Sequence, residues 1–214
     1  NAYSLSKLAE EKSLSKDLEK FEKEYLRLLR NNLQSKKRVF ILIHGFNAKA
    51  KEVTRNYERI QKKINLTNSD EVIQFYWDGL YTKNPFSSLK TWFTAADYSQ
   101  YVGKFALRKI LNTMSNKEVY LISHSRGASV IMTALSSAPI DSTKMSDIVE
   151  NHYVDTASLQ NDLIRNQKNK IYAIALAPAI GKADFEIKHD DSTYNVLFTP
   201  QLKSFHISTN KTDL

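Results

Sequence analysis

Five short runs are predicted as strands, residues 39–43, 71–77, 118–123, 170–177 and 203–210; the first four are largely apolar, and the fifth has Phe205 and Ile207 among polar residues. Runs of this length that are rich in β-branched residues are typical of strands. The run 39–43 is apolar throughout, as expected for a strand that is buried on both faces. Because the interval between successive runs has room for a crossover helix, we predict a parallel sheet.

Between these runs, apolar residues recur at steps of three and four, the spacing of one helix face. We therefore predict helices over residues 51–64, over 95–114 and after the third run to about 138. Residues 1–36 predict a long amphipathic helix with Lys and Glu between its apolar positions. We expect its apolar stripe to pack on the body of the protein. The alternatives are a coiled-coil seam and a membrane-surface helix, although the mixing of Glu with Lys argues against the membrane.

The third run ends at a turn that points to chemistry. Apolar residues 119–122 stop at Ser-His-Ser-Arg-Gly, residues 123–127, and a helical pattern follows. A strand, a sharp turn and a helix, with a hydroxyl residue at the apex, form a nucleophile elbow, whose usual motif is G-x-S-x-G. Such a turn strains the backbone of Ser125 and exposes its hydroxyl, and Gly127 lets helix and strand approach closely. Ser123 stands where the usual motif has its first glycine.

The first run leads into a second motif. Its strand is followed directly by His44, Gly45 and Phe46. A strand ending in His-Gly about eighty residues before an elbow serine resembles the α/β-hydrolase superfamily. The resemblance covers roughly residues 37–214. It implies a three-layer α/β fold with a mostly parallel sheet. The runs would lie in the order second, first, third, fourth, fifth. Residues 1–36 would form an additional amphipathic helical segment before this domain.

The same resemblance assigns roles to single residues. Main-chain N–H groups of Phe46 and Arg126 would stabilise the oxyanion, while His44 and His124 would be structural. The acid of the catalytic triad would follow the last strand, where the sequence has Asp213. No cofactor is implied.

The histidine of the triad is absent from its usual place. A serine hydroxyl needs a histidine to accept its proton and an acid to orient that histidine, in the chain order serine, acid, histidine. No histidine follows Asp213, so we expect the base on a segment after Leu214 that this chain lacks. Alternatives are His189, in the stretch 181–200 that we predict as a polar loop, and Asp184 as a second-choice acid.

Two connections are candidates for shaping the substrate site. The aromatic-rich stretch 79–94 leaves the carboxyl end of the second strand, and ligands bind at such ends of parallel sheets. We hypothesise that it walls the hydrophobic part of the site; the alternative is packing against the core and the first helix. Residues 139–169 form either a cap over the site or a plain crossover. We expect Asp97 to act as a helix-dipole partner rather than as a catalytic group.

Composition narrows the classes of function. The 214 residues carry a net charge of +8 and include no cysteine, which excludes disulfides, a thiol nucleophile and cysteine-ligated metals. No zinc-protease, P-loop or dinucleotide-binding motif occurs, so we predict neither a metal nor another cofactor. The basic residues are scattered, which argues against a nucleic-acid partner. Binding to an anionic membrane surface remains an alternative.

We therefore expect a serine hydrolase that cleaves a small-molecule or lipid ester through an acyl-serine intermediate. Thioester, amide and phospholipid cleavage use the same parts, and the fold alone does not choose among them. The alternative is a non-catalytic protein of hydrolase fold that binds a partner or a membrane through its N-terminal helix and basic surface. A third interpretation is a lipid-surface hydrolase that docks through this helix.

Overall fold

The computed structural model describes residues 14–77, 79, 98–137, 164–165, 168–181, 184–189 and 192–208. Its strands are β1 Arg38–Ile43, β2 Asp70–Phe75, β3 Glu118–His124, β4 Lys170–Leu176, β5 Glu186–His189, β6 Ser192–Asn195 and β7 Leu202–Ser208. Its helices are α1 Leu14–Leu33, α2 Ala50–Gln61, α3, whose described part is 98–112, and α4 Gly127–Leu135. A π-helical turn, Gly103–Leu107, lies within α3.

Five strands form one parallel sheet in the order β2-β1-β3-β4-β7, which confirms the predicted order and direction. Along one row, Ile41 lies beside Ile73 and Leu121. Leu121 in turn lies beside Ala173, which pairs with Phe205. The predicted runs agree with these strands to within one or two residues at each end. All five carboxyl ends therefore meet at the same edge of the sheet.

Helices cover both faces of the sheet, which gives the three layers expected. On one face, Val53 and Tyr57 of α2 pack with Leu42 of β1. On the other face, a larger buried cluster joins the sheet to α1, α3 and α4. Every residue of α4 is buried. The elbow helix is thus the central helix of that layer, and its position is fixed on all sides.

Helix α1 packs on the body of the protein with only part of its apolar surface. Leu33 is buried in the main core, and the half-buried Leu29 packs against the same cluster. Phe21, Tyr25 and Leu28 are exposed by 70%, 46% and 47%. The expected packing is therefore confirmed for one stripe of the helix, while a second apolar stripe faces outward. Within the described residues, no helix is long and apolar enough to cross a bilayer.

A buried arginine of α3 holds the end of α4. Arg108 is 2% exposed, and its guanidinium donates to the main-chain carbonyls of Ala134 at 3.0 Å and Ser136 at 2.7 Å, and also to that of Thr133. The last carbonyls of a helix have no partner within the helix and carry its negative dipole end. Arg108 therefore caps α4 at the end opposite to the predicted nucleophile.

An ion pair closes the sheet at the amino ends of β1 and β2. Arg38 donates to both carboxylate oxygens of Asp70, from Nε at 2.7 Å and from Nη2 at 2.5 Å. The main-chain N–H of Thr67 donates to the same carboxylate at 2.6 Å. The Asp70 side chain is 1% exposed, and the bonds from Arg38 hold the pKa of its carboxyl well below the usual range.

The stretch 181–200 is more regular than predicted. Strands β5 and β6 pair antiparallel in register from Glu186 opposite Asn195 to His189 opposite Ser192. The predicted loop is therefore wrong for these eight positions. Each strand has only four residues, and alternating polar residues leave no apolar run to reveal it.

Candidate active site

Ser125 occupies a strained turn at the carboxyl end of β3. Its φ is 51°, in the left-handed region that residues with a side chain rarely adopt. The main-chain N–H of Ser125 donates to the carbonyl of Leu176 at 3.0 Å, and its carbonyl accepts from Ala128 N–H at 3.1 Å. The strand ladder and the first turn of α4 thus hold the residue from both sides. Strain of this kind is concentrated at functional sites, where the surrounding structure stabilises it.

Gly127 brings the start of α4 directly over the end of β1. A side-chain carbon at this position would lie 2.7 Å from the carbonyl oxygen of His44 and 2.9 Å from that of Ile43. Both neighbours are main-chain atoms of a central strand and its continuation, so neither can give way. Only glycine fits here, which is the reason that the elbow motif has this residue.

The loop after β1 lies against the predicted nucleophile. A side-chain carbon at Gly45 would be 2.8 Å from the Cβ of Ser125, 3.3 Å from its Oγ and 2.9 Å from the carbonyl oxygen of His124. Asn47, at φ 53°, donates its N–H to the Gly79 carbonyl at 2.7 Å. The segment 45–47 is therefore held between Ser125 on one side and Gly79 on the other.

His44 fixes this loop to the end of β2. Its Nε2 accepts from the main-chain N–H of Trp77 at 3.1 Å, so its proton is on Nδ1, which donates to the Gly45 carbonyl at 2.8 Å. Trp77 Nε1 donates to the carbonyl of His44 at 2.8 Å, and the two rings stack at 5.5 Å. Since both ring nitrogens of His44 are engaged, it is not available to accept the serine proton.

A tyrosine of α2 supports His44 from below. The ring of Tyr57 is 6.4 Å from that of His44, and its hydroxyl donates to the Phe75 carbonyl at 2.7 Å. Tyr57 is 3% exposed, and burial raises the pKa of its phenol well above the usual range. The phenol therefore stays neutral and keeps this bond.

Asp184, the second-choice acid, contacts the elbow helix instead of a histidine. Its Oδ1 accepts from the Ser129 hydroxyl at 2.6 Å. Its Oδ2 accepts from the Gly181 N–H at 2.8 Å and lies 3.5 Å from Nη1 of Arg126. The side chains of Arg126 and Asp184 are 9% and 5% exposed. Sequence reasoning missed Ser129; a polar residue within an otherwise apolar helical pattern was its signal.

The other candidate residues and the remaining histidines do not take part in the contacts described above or fall outside the described residues. Asp213, Asp97 and the stretch 80–94 fall outside the described residues, as does most of the connection 139–169. His124 is exposed at the end of β3, and His206 is exposed within β7. Among the described residues, no hydrogen bond joins a histidine to the hydroxyl of Ser125, and no group of three or more His, Asp or Glu could hold a metal ion.

A basic groove lies at the opposite end of the sheet. It has a volume of about 650 Å³ and is lined by Lys37, Arg38, Thr67, Ser69, Asn116, Lys117, Glu118, Lys168 and Lys170. These residues are at or near the amino ends of the strands, whereas Ser125 follows a carboxyl end. The groove is therefore separate from the candidate active site, although it gathers part of the net positive charge.

Comparison with known proteins gives one match. Residues 20–213 match a family model described as an alpha/beta hydrolase of unknown function (DUF900). No curated protein and no solved structure matches the chain. The matched region includes both the His-Gly loop and the serine elbow.

Proposed function

The chain belongs to this family of α/β hydrolases, and from that premise we propose that it hydrolyses a carboxylic ester with Ser125 as the nucleophile. One observation carries the proposal. Ser125 has a left-handed backbone at the end of a central parallel strand, and the loop at Gly45 packs directly against it. Strain at a serine, next to a loop that can supply main-chain donors, is the arrangement that acyl transfer requires.

In the proposed reaction, the hydroxyl oxygen of Ser125 attacks the ester carbonyl carbon, and its proton passes to a histidine. Main-chain N–H groups of Phe46 and Arg126 stabilise the oxyanion of the tetrahedral intermediate. The intermediate expels the alcohol, which takes the proton from the histidine, and an acyl-serine remains. Water then attacks the acyl carbon, the histidine accepts its proton, and the carboxylic acid leaves as the serine is restored.

The electrostatics of the elbow support this assignment. Arg126 directly precedes α4, so its main-chain N–H belongs to the positive end of the helix dipole. Developing negative charge on an oxyanion is favoured there. We assign Asp213 as the group that orients the histidine. Replacing it with Asn should lower kcat roughly 10²- to 10⁴-fold, because the histidine would lose its correct tautomer.

The test is labelling with a fluorophosphonate probe, located by peptide mass spectrometry. We expect the probe on Ser125, with labelling lost in Ser125→Ala and retained in Ser204→Ala, a matched serine within β7. Ester, thioester and amide substrates with the same acyl group would then rank the reactions. Failure of the folded full-length native chain to label would exclude a serine hydrolase.

Histidine variants identify the base. We expect His206→Gln to label as the wild type does, because this residue lies inside β7, two residues before the strand end. Loss of labelling in His189→Gln, with an unchanged unfolding midpoint, would place the base at the end of β5 instead of after Asp213. A pH profile of labelling, with an inflection near pH 6 to 7, would mark a histidine in either case.

The second candidate is a non-catalytic binding function, which the exposed stripe of α1 favours. Phe21, Tyr25 and Leu28 present adjacent apolar side chains to solvent. Contiguous exposed apolar surface commonly marks a site of interaction with a protein or a membrane. This function would be favoured if Ser125 is not labelled and if the chain binds a protein or a membrane in a way that Phe21→Ser abolishes. Higher activity on micellar than on monomeric esters would instead indicate a hydrolase that docks on a lipid surface through this helix.

A further inference from the structure

We propose that Asp184 is a positioning residue for the oxyanion site, acting through Arg126 and Ser129. The inference rests on the proposed function, because it concerns the main-chain N–H of Arg126 that we assign to the oxyanion. It gives Asp184 a role other than the acid of the triad.

One carboxylate joins three parts of the structure around the nucleophile. Oδ1 of Asp184 is bonded to the Ser129 hydroxyl in the first turn of α4. Oδ2 is bonded to the Gly181 N–H in the segment after β4, and it also faces the Arg126 guanidinium. Arg126 is the residue that directly follows Ser125. Both oxygens are thus bonded to the elbow and its support, and neither contacts a histidine of the described residues.

The contacts oppose relaxation of the strained turn. Ser125 is held at φ 51°, whereas Arg126 has ordinary helical angles, φ −64° and ψ −15°. Because φ is the rotation about the N–Cα bond of Ser125, relief of the strain with β3 held in place would turn Arg126 and the first turn of α4, and would redirect the Arg126 N–H. The same motion would carry the Arg126 guanidinium and the Ser129 hydroxyl away from Asp184. The ion pair and the Ser129 bond therefore help to fix the direction of the amide, as a strained functional turn requires.

Burial makes this restraint stiff. The side chains of Arg126 and Asp184 are each less than one-tenth exposed, so water cannot replace either partner readily. A buried charge that loses its partner is strongly unfavourable, which keeps the two groups together. A second contact also holds the elbow, since the carbonyl of Leu176, the last residue of β4, accepts a hydrogen bond from the Ser125 N–H. The end of β4 and the segment that follows it thus each support the elbow.

The experiment compares labelling with stability in the full chain. Asp184→Asn should slow fluorophosphonate labelling of Ser125 about 10²-fold, the scale expected when a catalytic donor is displaced by about 1 Å. Ester turnover should show the loss in kcat with little change in KM. Asp184→Asn combined with Arg126→Met removes the uncompensated charge and should restore the urea midpoint. Labelling should stay at least 10-fold slow, because the restraint on the amide is still missing.

The pair Arg38–Asp70 supplies the matched control. It is an arginine–carboxylate pair with a buried carboxylate, at the far end of the sheet. Asp70→Asn should lower the urea midpoint while the folded protein labels within 2-fold of the wild type. Wild-type labelling in Asp184→Asn, or in the double variant once its midpoint recovers, would overturn the inference and leave the proposed function intact. An unlabelled full-length native chain would overturn the proposed function itself.

Discussion

The substitution Gly45→Ala tests the contact on which the candidate site depends. The added methyl carbon would lie 2.8 Å from the Cβ of Ser125 and 2.9 Å from the carbonyl oxygen of His124. Comfortable contacts between carbon atoms are about 3.5–4.0 Å, so the loop has to retreat by roughly 0.7 Å. Neither neighbour can yield, because one belongs to the strained turn and the other to the main chain of β3.

The size of the effect follows from this displacement. Overpacking a well-packed region costs about 1–3 kcal/mol in unfolding free energy. The same retreat displaces the N–H of Phe46, which we propose as an oxyanion donor, and loss of one such donor lowers kcat roughly 10²- to 10³-fold. We therefore expect kcat to fall about 10²-fold while the protein still folds, since a domain has about 5–15 kcal/mol in reserve.

The assay measures the labelling rate of Ser125, ester kcat and the urea midpoint for each variant. Gly181→Ala is the matched control, because a side-chain carbon there meets nothing within 4 Å and alanine keeps the N–H that Asp184 accepts. It should change the unfolding free energy by less than about 1 kcal/mol and leave labelling unaltered. Wild-type labelling and stability in Gly45→Ala would show that the loop does not contact the nucleophile.

Three further predictions concern the support of the site. Arg108→Met should lower the free energy of unfolding in urea by about 3–5 kcal/mol, because it leaves buried carbonyls at the end of α4 without their charged donor. The control is Lys109→Met on the same helix, which should lower it by less than about 1 kcal/mol. The depressed pKa of Asp70 means that its bonds with Arg38 stabilise the fold above the unfolded pKa of about 3.9. The difference in unfolding free energy between wild type and Asp70→Asn should therefore shrink as the pH falls below 4, and a constant difference would contradict this assignment. Ser123→Ala removes a buried hydroxyl for which the described structure gives no hydrogen-bond partner, so it should leave stability unchanged or raise it by about 1 kcal/mol, with labelling unaffected.

The positions of the main strands could be predicted from their short runs, and the order of the sheet from the resemblance to the α/β-hydrolase superfamily. The run 39–43 is apolar at every position, and its strand is buried almost throughout. The short strands β5 and β6 could not be predicted in this way. Their identity depends on pairing with each other, and four alternating polar residues carry too little local signal.

The candidate site divides in the same manner. Ser125 and Gly127 could be proposed from the sequence because a tight turn and a close approach of main chains restrict which residues can occupy them, whereas His44 and Gly45 were proposed from the family resemblance. The partners of Asp184 were not identifiable, since Ser129 lies 55 residues away in the chain and meets the carboxylate only through packing of α4 on the sheet.

The sequence by itself determined the apolar runs, their direction in the sheet and the strained elbow, because these depend on local pattern and on the sterics of a few backbone positions. Only the tertiary structure decided how α1 divides its apolar surface, how Arg108 caps α4 and which groups the Asp184 carboxylate joins. The physical reason is that a buried polar group takes whichever partner the packing brings within about 3 Å, and no local pattern encodes that choice.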